Sequence, residues 1–137
     1  LDNCSKNNLE VFFCVGETLE MREKGKQNEE IENQLNNTLF DLPDFNLDKL
    51  VIAYEPVWAI GTGKNASPKQ VQEIHRHIRN LLNFRYGKSS DSIPIVYGGS
   101  LKPENSNNIF SCPDVDGGLV GSASLNSKAF LDIISSI

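Results

Sequence analysis

Residues 50–84 read LVIAYEPVWAIGTGKNASPKQVQEIHRHIRNLLNF. The first five are apolar without polar alternation, which is typical of a parallel strand buried on both faces. Further along, Ser67, Pro68 and Gln70 supply an N-cap, a proline at the first helical position and the reciprocal partner of a capping box. They predict a helix to about Phe84 with an apolar face of Val71, Ile74, Ile78, Leu81 and Leu82. The stretch therefore predicts a strand, a long loop and a helix.

The same order recurs in the rest of the chain. Apolar runs predict three further strands, at residues 9–15, 93–97 and 115–120. Helical signals follow them at residues 18–24 and 29–40, at 103–111, and after an N-cap at Asn126. Parallel strands that alternate with helices are joined by right-handed crossovers. The sequence thus predicts an α/β fold of four βα units in one domain.

The composition excludes several classes of protein. The 137 residues carry 13 basic and 18 acidic side chains, a net charge of −5, and the scattered basic ones form no nucleic-acid-binding surface. No run approaches the roughly 18 apolar residues of a membrane span, and the first residues do not resemble a signal peptide. The three cysteines lack metal-binding or disulfide spacing, which indicates free thiols in a reducing compartment. We expect no nucleic acid, membrane or metal as a partner.

Ligands of parallel α/β folds bind at the carboxyl ends of the strands. Glycine occurs there after three of the four predicted strands, at Gly16, at Gly98 and Gly99, and at Gly121. Glycine lets the backbone approach a ligand with its N–H groups exposed, so several such turns at one edge would bind a phosphate without lysine. Glycine also simply ends strands, and each turn by itself supports both interpretations.

Glu55 follows the second predicted strand directly, beside the apolar residues Val57, Trp58 and Ile60. Apolar surroundings disfavour the charged form of a carboxyl, which suits a general base. A glutamate at a strand end is also commonly paired with lysine or arginine. The loop up to Ser67 exceeds the about 2 to 6 residues usual between a strand and a helix. Its stiff, proline-containing start and glycine-rich tip predict a lid, which favours the general base.

Four motifs resemble the triosephosphate isomerase family in sequence and order. YEPVWAIGTGK at 54–64 is similar to its catalytic-glutamate and lid segment, and CVGETLEMR at 14–22 to its fifth strand and loop. YGGS at 97–100 resembles its seventh loop, and DG at 116–117 with LVGSASL at 119–125 the eighth. The resemblance extends from about residue 9 to 137. It implies that the four βα units form strands five to eight, half of a TIM (β/α)8 barrel.

The resemblance also implies an activity and a set of site residues. The family interconverts dihydroxyacetone phosphate and D-glyceraldehyde 3-phosphate through an enediol, in glycolysis and gluconeogenesis, without a metal or organic cofactor. Glu55 would be the base that moves a proton between two carbons. Backbone N–H groups would hold the phosphate, at Gly61, Ser100, Gly121 and Ser122. The lid and its latch would comprise Glu17, Pro56, Val57, Trp58, Ala59, Ile60, Thr62, Gly63, Lys64, Ala66 and Tyr97.

Within the lid, Glu17 would bond Trp58 in the open position, whereas Tyr97 and Ser100 would latch the closed lid near Ala66. Two positions depart from the family pattern. Ser122 replaces a second glycine, which a negative φ would accommodate. Gly118 replaces a common aromatic residue, so we expect a packing contact near the eighth strand to be lost.

The remaining candidates receive structural interpretations. By resemblance, Arg79 and Asp114 would form a structural ion pair. His75 and His77 diverge by about 200° on a helix, so they are predicted to be surface residues rather than metal ligands. Cys14 is predicted to be a small buried residue, because no motif places a histidine beside it to activate a thiolate.

The resemblance begins at the family's fifth strand. A (β/α)8 barrel has about 250 residues, so 137 residues correspond to about four of its eight units. The family's asparagine and lysine near the first strand, and its histidine after the fourth, have no counterpart here. We therefore expect residues 1–137 to be the C-terminal half of the barrel domain, nearly inactive without an N-terminal half-barrel as partner. The complete protein would be a homodimer acting on triose phosphate. The cytoplasm is the default location, and a plastid or another organelle remains an alternative.

Two alternatives remain at this stage. One is a non-catalytic phosphate-binding half-barrel that associates with itself as a scaffold, since two copies would supply eight strands but neither the lysine nor the histidine. The other is a different phosphate-binding barrel enzyme, which the lid motif disfavours.

Overall fold

The computed structural model describes residues 1–42, 45–60 and 64–137. Four strands lie in these ranges: β1 (Val11–Val15), β2 (Leu50–Tyr54), β3 (Ile95–Tyr97) and β4 (Gly117–Gly118). The helices are α1 (Asp2–Lys6), α2 (Leu19–Glu23), α3 (Gln27–Asn36), α4 (Pro68–Tyr86), α5 (Pro103–Phe110) and α6 (Ser127–Ile134). Short 3₁₀ turns occupy Leu47–Lys49, Val57–Ala59, Gly87–Ser92 and Ser122–Leu125.

The strands form one parallel sheet in the order β1-β2-β3-β4. Val11 pairs with Leu50, Ile52 with Ile95, and Val96 with Gly117. Spatial order equals chain order, so each strand lies beside the one that precedes it along the chain. The predicted α/β fold of four βα units is confirmed, with the strand order of a segment of a (β/α)8 barrel.

The core lies between the helices and one face of the sheet. Helix α3 contributes Ile31 and Leu35, and α4 contributes a buried stripe of Val71, Ile74, Ile78 and Leu82. The predicted capping box of α4 is present, since Ser67 Oγ accepts from Gln70 N and Gln70 Oε1 accepts from Ser67 N. Helix α1 was not predicted from the sequence, because its five residues bury nothing and give no periodic signal.

Burial of both sheet faces is a wrong prediction for β1. Val11 and Val15 are buried, whereas Phe12 is 58% exposed and Cys14 is also exposed. Helices cover only one face of this strand, and the opposite face, which would line the interior of a barrel, is open. The prediction that Cys14 is buried is therefore wrong as well, because position 14 lies on that open face.

Strand β4 is shorter than the predicted run at 115–120. Its neighbours nevertheless continue the hydrogen bonding to β3, since Asp116 N donates to Ile95 O and Leu119 N donates to Tyr97 O, both at 2.9 Å. A Cβ at Gly118 would lie 2.4 Å from Leu101 Cδ2 and 3.1 Å from the Phe110 ring. Leu101 and Phe110 thus lie close beside Gly118, and the loss of a packing contact relative to the family stays a prediction.

Arg79 pairs with Asp116 and not with Asp114, which corrects the predicted ion pair. Arg79 Nη2 lies 2.5 Å from Asp116 Oδ2, and the same oxygen accepts from Ile95 N at 2.7 Å. Asp114 instead bonds Gln72, whose Oε1 accepts from Asp114 N at 3.1 Å. Gln72 lies about two helical turns, roughly 10 Å, before Arg79 on α4. The position of each partner along the helix therefore decides which aspartate it reaches.

His75 is fully buried, so the prediction of a surface residue is wrong for this histidine. It lies four residues after Val71 and therefore on the apolar face of α4, where its ring meets Tyr54 edge to face. Because Nδ1 lies 3.1 Å from the Asp114 carbonyl oxygen, which can only accept, Nδ1 carries the proton. Burial lowers the pKa of His75 from 6.5 to about 4, although this hydrogen bond opposes the shift. His77 is half-buried and reaches the Asn28 carbonyl.

Replacing His75 with glutamine is expected to reduce the acid sensitivity of the fold. The unfolded chain binds a proton at His75 near pH 6.5 and the folded chain only near pH 4. The unfolding free energy therefore falls as the pH drops through this window, by about 3 kcal/mol for a shift of this size. Urea unfolding at pH 7.0, 5.5 and 4.5 measures the decline. It is expected to be shallower for His75→Gln and unchanged for the matched control His77→Gln; equal declines in all three proteins would contradict the assignment.

Candidate functional site

A cleft of about 500 Å³ opens at the carboxyl ends of the strands. Its lining includes Glu55 after β2, Gly98 and Ser100 after β3, and Gly121 and Ser122 after the fourth strand. Parallel strands end at the same edge of the sheet, so residues far apart in sequence meet there. The structure thus brings together the predicted base and three of the four predicted phosphate-binding residues. The fourth, Gly61, lies outside the described residues.

Glu55 is half-buried and projects from the end of β2, where its N–H donates to Val15 O at 2.8 Å. Its side chain lies against Gly98, because a Cβ there would be 2.6 Å from Glu55 Cγ. Glu55 forms no ion pair with another described residue, so the interpretation as a strand-end ion pair finds no support. Burial and the Glu55 carboxylate both raise the pKa of the neighbouring Cys14 thiol.

Gly16 permits the close approach of β1 to the Glu55 backbone. A Cβ at Gly16 would lie 1.8 Å from the Glu55 carbonyl oxygen, which no side chain tolerates. Gln34 of α3 fixes Gly16 from the other side, accepting from its N–H and donating to its C=O, both at 2.9 Å. No short motif in the sequence connects Gln34 with Gly16, which lies 18 positions away. Together these contacts fix the backbone from which Glu55 projects.

The predicted anion-binding turns have backbone donors available. The N–H groups of Ser100 and Gly121 make no hydrogen bond to another described residue. Ser122 begins the 3₁₀ turn Ser122–Leu125, where the first N–H groups have no partner within the turn. Its φ is not positive, since Asn8 is the one non-glycine residue with positive φ in the described ranges. Serine at position 122 is therefore accommodated as expected.

The described part of the predicted lid begins with the proline-initiated turn Val57–Ala59. Val57 and Ile60 are exposed, Ala59 is buried, and Val57 N donates to Glu17 O at 3.1 Å. Beyond the tip, Lys64 is exposed and Ala66 is buried. Thr62 and Gly63 lie outside the described residues. The lid segment is thus attached to the loop after β1 through backbone as well as side-chain contacts.

The expected contact between Glu17 and Trp58 is present. Trp58 Nε1 donates to Glu17 Oε1 at 2.8 Å, and the Glu17 side chain is fully buried. The same oxygen accepts from Arg22 Nε at 2.6 Å and from the Tyr54 hydroxyl at 3.2 Å. Burial of the Arg22 guanidinium lowers its pKa, but the bonds and charges of Glu17 and Tyr54 outweigh this and the pKa is raised. The pKa of Tyr54 is raised mainly by burial and, to a lesser extent, by the negative charge of Glu17.

The predicted latch residue Tyr97 is buried beneath this region. Its hydroxyl makes no hydrogen bond to another described residue. A Cβ added to Gly99 would lie 2.3 Å from the Tyr97 hydroxyl oxygen, so the two residues are in close contact. Burial raises the pKa of Tyr97, and the nearby Ala66 backbone partly opposes the rise. The latch between Tyr97, Ser100 and the lid stays a prediction.

No group of three or more His, Cys, Asp or Glu side chains in residues 1–42, 45–60 and 64–137 is arranged to hold a metal ion. Across those same residues, no helix is long and apolar enough to cross a membrane.

Comparison with known proteins agrees with the motifs. The family model described as triosephosphate isomerase matches residues 1–137. The triosephosphate isomerase of Flavobacterium johnsoniae is 47% identical over 138 residues, which cover 100% of this chain and 55% of that protein. That of Bacteroides fragilis is 54% identical over 129 residues, covering 93% and 51%, and that of Methylococcus capsulatus is 47% identical over 133 residues, covering 96% and 53%.

The chain spans about half the length of these curated relatives. The family model nevertheless matches residues 1–137, which include Glu55 and the other residues that line the cleft. The chain therefore belongs to the triosephosphate isomerase family.

Proposed function

We propose that this chain supplies the C-terminal half of a triosephosphate isomerase that interconverts dihydroxyacetone phosphate and D-glyceraldehyde 3-phosphate. The observation that carries the proposal is the position of Glu55. It shares one cleft with Ser100 and Gly121, whose N–H groups make no hydrogen bond to another described residue. A base and an anion-binding edge on one cleft suit a small phosphorylated substrate whose carbon-bound proton must move. The motifs retained are those of the family's fifth to eighth strands, which supports the assignment to the C-terminal half.

In this mechanism Glu55 removes a proton from one carbon of the bound triose phosphate and returns it to the adjacent carbon through an enediol. The N–H groups of Gly61, Ser100, Gly121 and Ser122 hold the phosphate, and no step needs a metal or organic cofactor. Closure of the lid excludes water, which strengthens these interactions and protects the enediol. The Gly98 backbone, which leaves no room for a Cβ, sets how far the Glu55 carboxylate reaches into the cleft.

We further propose that an N-terminal half-barrel completes the site. The family's asparagine, lysine and histidine are not among these 137 residues. Two apolar borders of the described structure suit such a partner. At one, Phe12 of β1 and Leu9 just before it are exposed; at the other, Leu131 and Ile134 of α6 and Ile137 after it are exposed. The complete protein would be a homodimer in glycolysis and gluconeogenesis, located in the cytoplasm.

The test is reconstitution of activity. Isomerase turnover is measured for this chain alone and after co-refolding with an N-terminal fragment of the Flavobacterium johnsoniae relative, which includes its first four strands. We expect near-background turnover alone, because missing oxyanion stabilisers each cost about a hundredfold to a thousandfold in rate. Recovery is expected on mixing. A folded complex without turnover would overturn the proposal and favour a non-catalytic phosphate-binding half-barrel. Strong turnover by the chain alone would overturn the proposal that the two halves share one site.

A further inference from the structure

Arg22 touches three side chains at the first hinge of the lid. Its Nε donates to Glu17 Oε1 at 2.6 Å and its Nη2 to the Tyr54 hydroxyl at 3.1 Å. Its guanidinium carbon also lies 5.4 Å from the centroid of the Trp58 ring. The arginine comes from α2, the indole from the lid segment and the tyrosine from β2. One side chain thus connects the lid with the sheet.

The contacts of Glu17 explain why a cation is needed there. Its side chain is fully buried, and a buried carboxylate is strongly unfavourable unless it is paired and hydrogen-bonded. Trp58 is one of its three donors, so any movement of the lid that removes the indole takes a hydrogen bond from this carboxylate. Arg22 and Tyr54 come from outside the lid and remain as donors. Arg22 can therefore remain bonded to Glu17 whether or not Trp58 is in place.

The stacking contact acts on the indole directly. A planar guanidinium over a tryptophan face is held by the ring quadrupole, and its flat shape permits stacking and forked hydrogen bonding at once. A lysine ammonium would retain the charge near Glu17 but could not bond Glu17 and Tyr54 and lie over the Trp58 ring with the geometry of a guanidinium. Arg22 therefore links to Trp58 in two ways, directly and through the carboxylate they share.

We propose that Arg22 is a positioning residue that holds Trp58, and with it the first hinge of the lid, in the position seen in this structure. The inference rests on the proposed function only for the consequence of lid movement on turnover. Loss of this contact would free Trp58 to leave its position, and movement of the lid at this hinge affects substrate binding and product release as well as the chemical step.

The first test uses the single tryptophan of the chain as its reporter. In the 137-residue chain, Arg22→Lys is expected to move the Trp58 emission to longer wavelength and to increase its quenching by acrylamide. Arg85→Lys is the matched control, because Arg85 also lies over an aromatic ring, that of Tyr86, at 5.9 Å and far from the lid. That control is expected to leave the emission unchanged. An Arg22→Lys protein that is folded by circular dichroism but has wild-type emission and quenching would overturn the proposal. If Arg22→Lys does not fold, Arg22→Gln is measured against the same criterion.

The second test separates positioning from stability. In the reconstituted enzyme, Arg22→Lys is expected to change KM as well as kcat, each by about two- to fivefold, the change that loss of a cation–π contact produces. A purely structural role would reduce the folded fraction, lowering kcat while leaving KM unchanged, and this result would overturn the proposal. Absence of turnover in the reconstituted wild type would instead count against the proposed function, and the emission of Trp58 would still decide the role of Arg22.

Discussion

Alanine at position 16 is expected to prevent the chain from folding stably. The added Cβ would stand 1.8 Å from the Glu55 carbonyl oxygen and 2.6 Å from its carbonyl carbon, and backbone atoms cannot rotate away as a side-chain end can. Relief requires β1 and β2 to separate at their carboxyl ends, which breaks the bond from Glu55 N to Val15 O and the two bonds of Gln34. Overpacking costs about 1 to 3 kcal/mol or more and each lost bond about 1 kcal/mol more, against a total stability of about 5 to 15 kcal/mol.

Circular dichroism and urea unfolding check this expectation. Gly117→Ala is the matched control, because it adds the same methyl group to a buried strand glycine whose Cβ would meet only Val96 Cγ1 at an ordinary 3.6 Å. We expect the control to retain the wild-type unfolding midpoint within the range of a neutral substitution. A Gly16→Ala protein with the same midpoint as Gly117→Ala would show that the approach of the two strands is not as tight as the structure has it.

Local signals in the sequence predicted those elements that local interactions determine. Helix α4 begins where the capping box of Ser67 and Gln70 places it, and it ends two residues beyond the predicted Phe84. Both features depend on residues within a few positions of each other. The alternation of strands and helices predicted parallel strands with right-handed crossovers, and the resemblance to a (β/α)8 barrel supplied the order of the strands in the sheet.

Features that depend on tertiary position were predicted incorrectly. Asp114 and Asp116 are equivalent partners for Arg79 in sequence terms, and only the position along α4 distinguishes them. The exposure of Cys14 depends on which face of β1 the helices cover. The divergence of His75 from His77 on the helix predicted a surface residue, whereas its spacing of four from Val71 places it on the apolar face, where it is buried.

The candidate site also combines features that follow from local sequence with features that depend on tertiary position. Glu55 and the glycine turns could be identified because each follows a strand directly, and the contact of Glu17 with Trp58 came from the family resemblance. Arg22 and Gln34 were missed as functional contacts, since their partners Trp58 and Gly16 lie 36 and 18 positions away. Nothing short-range in the sequence signals an approach across such separations.

Replacing Glu55 with glutamine is expected to lower the turnover of the reconstituted enzyme by about 10²- to 10⁴-fold, the usual contribution of a general base. The amide has nearly the shape of the carboxylate but cannot take up the proton at neutral pH. Little stability should be lost, because Glu55 forms no ion pair with another described residue whose charge would be stranded. The measurements are kcat, KM and the urea unfolding midpoint, and KM is expected to change far less than kcat.

Glu10→Gln provides the matched control, because Glu10 is exposed at the amino end of β1, on the opposite edge of the sheet from the cleft. It removes the same charge and should leave kcat unchanged, which separates loss of the base from a change in net charge.

Gly98→Ala offers an intermediate case, since it retains the carboxylate and displaces it by a Cβ placed 2.6 Å from Glu55 Cγ. A displacement of about 1 Å costs up to about a hundredfold in rate, so kcat should fall between those of the control and Glu55→Gln. If Glu55→Gln retained wild-type kcat, the proton would have to move through another group, and the role proposed for Glu55 would be wrong even in an active complex.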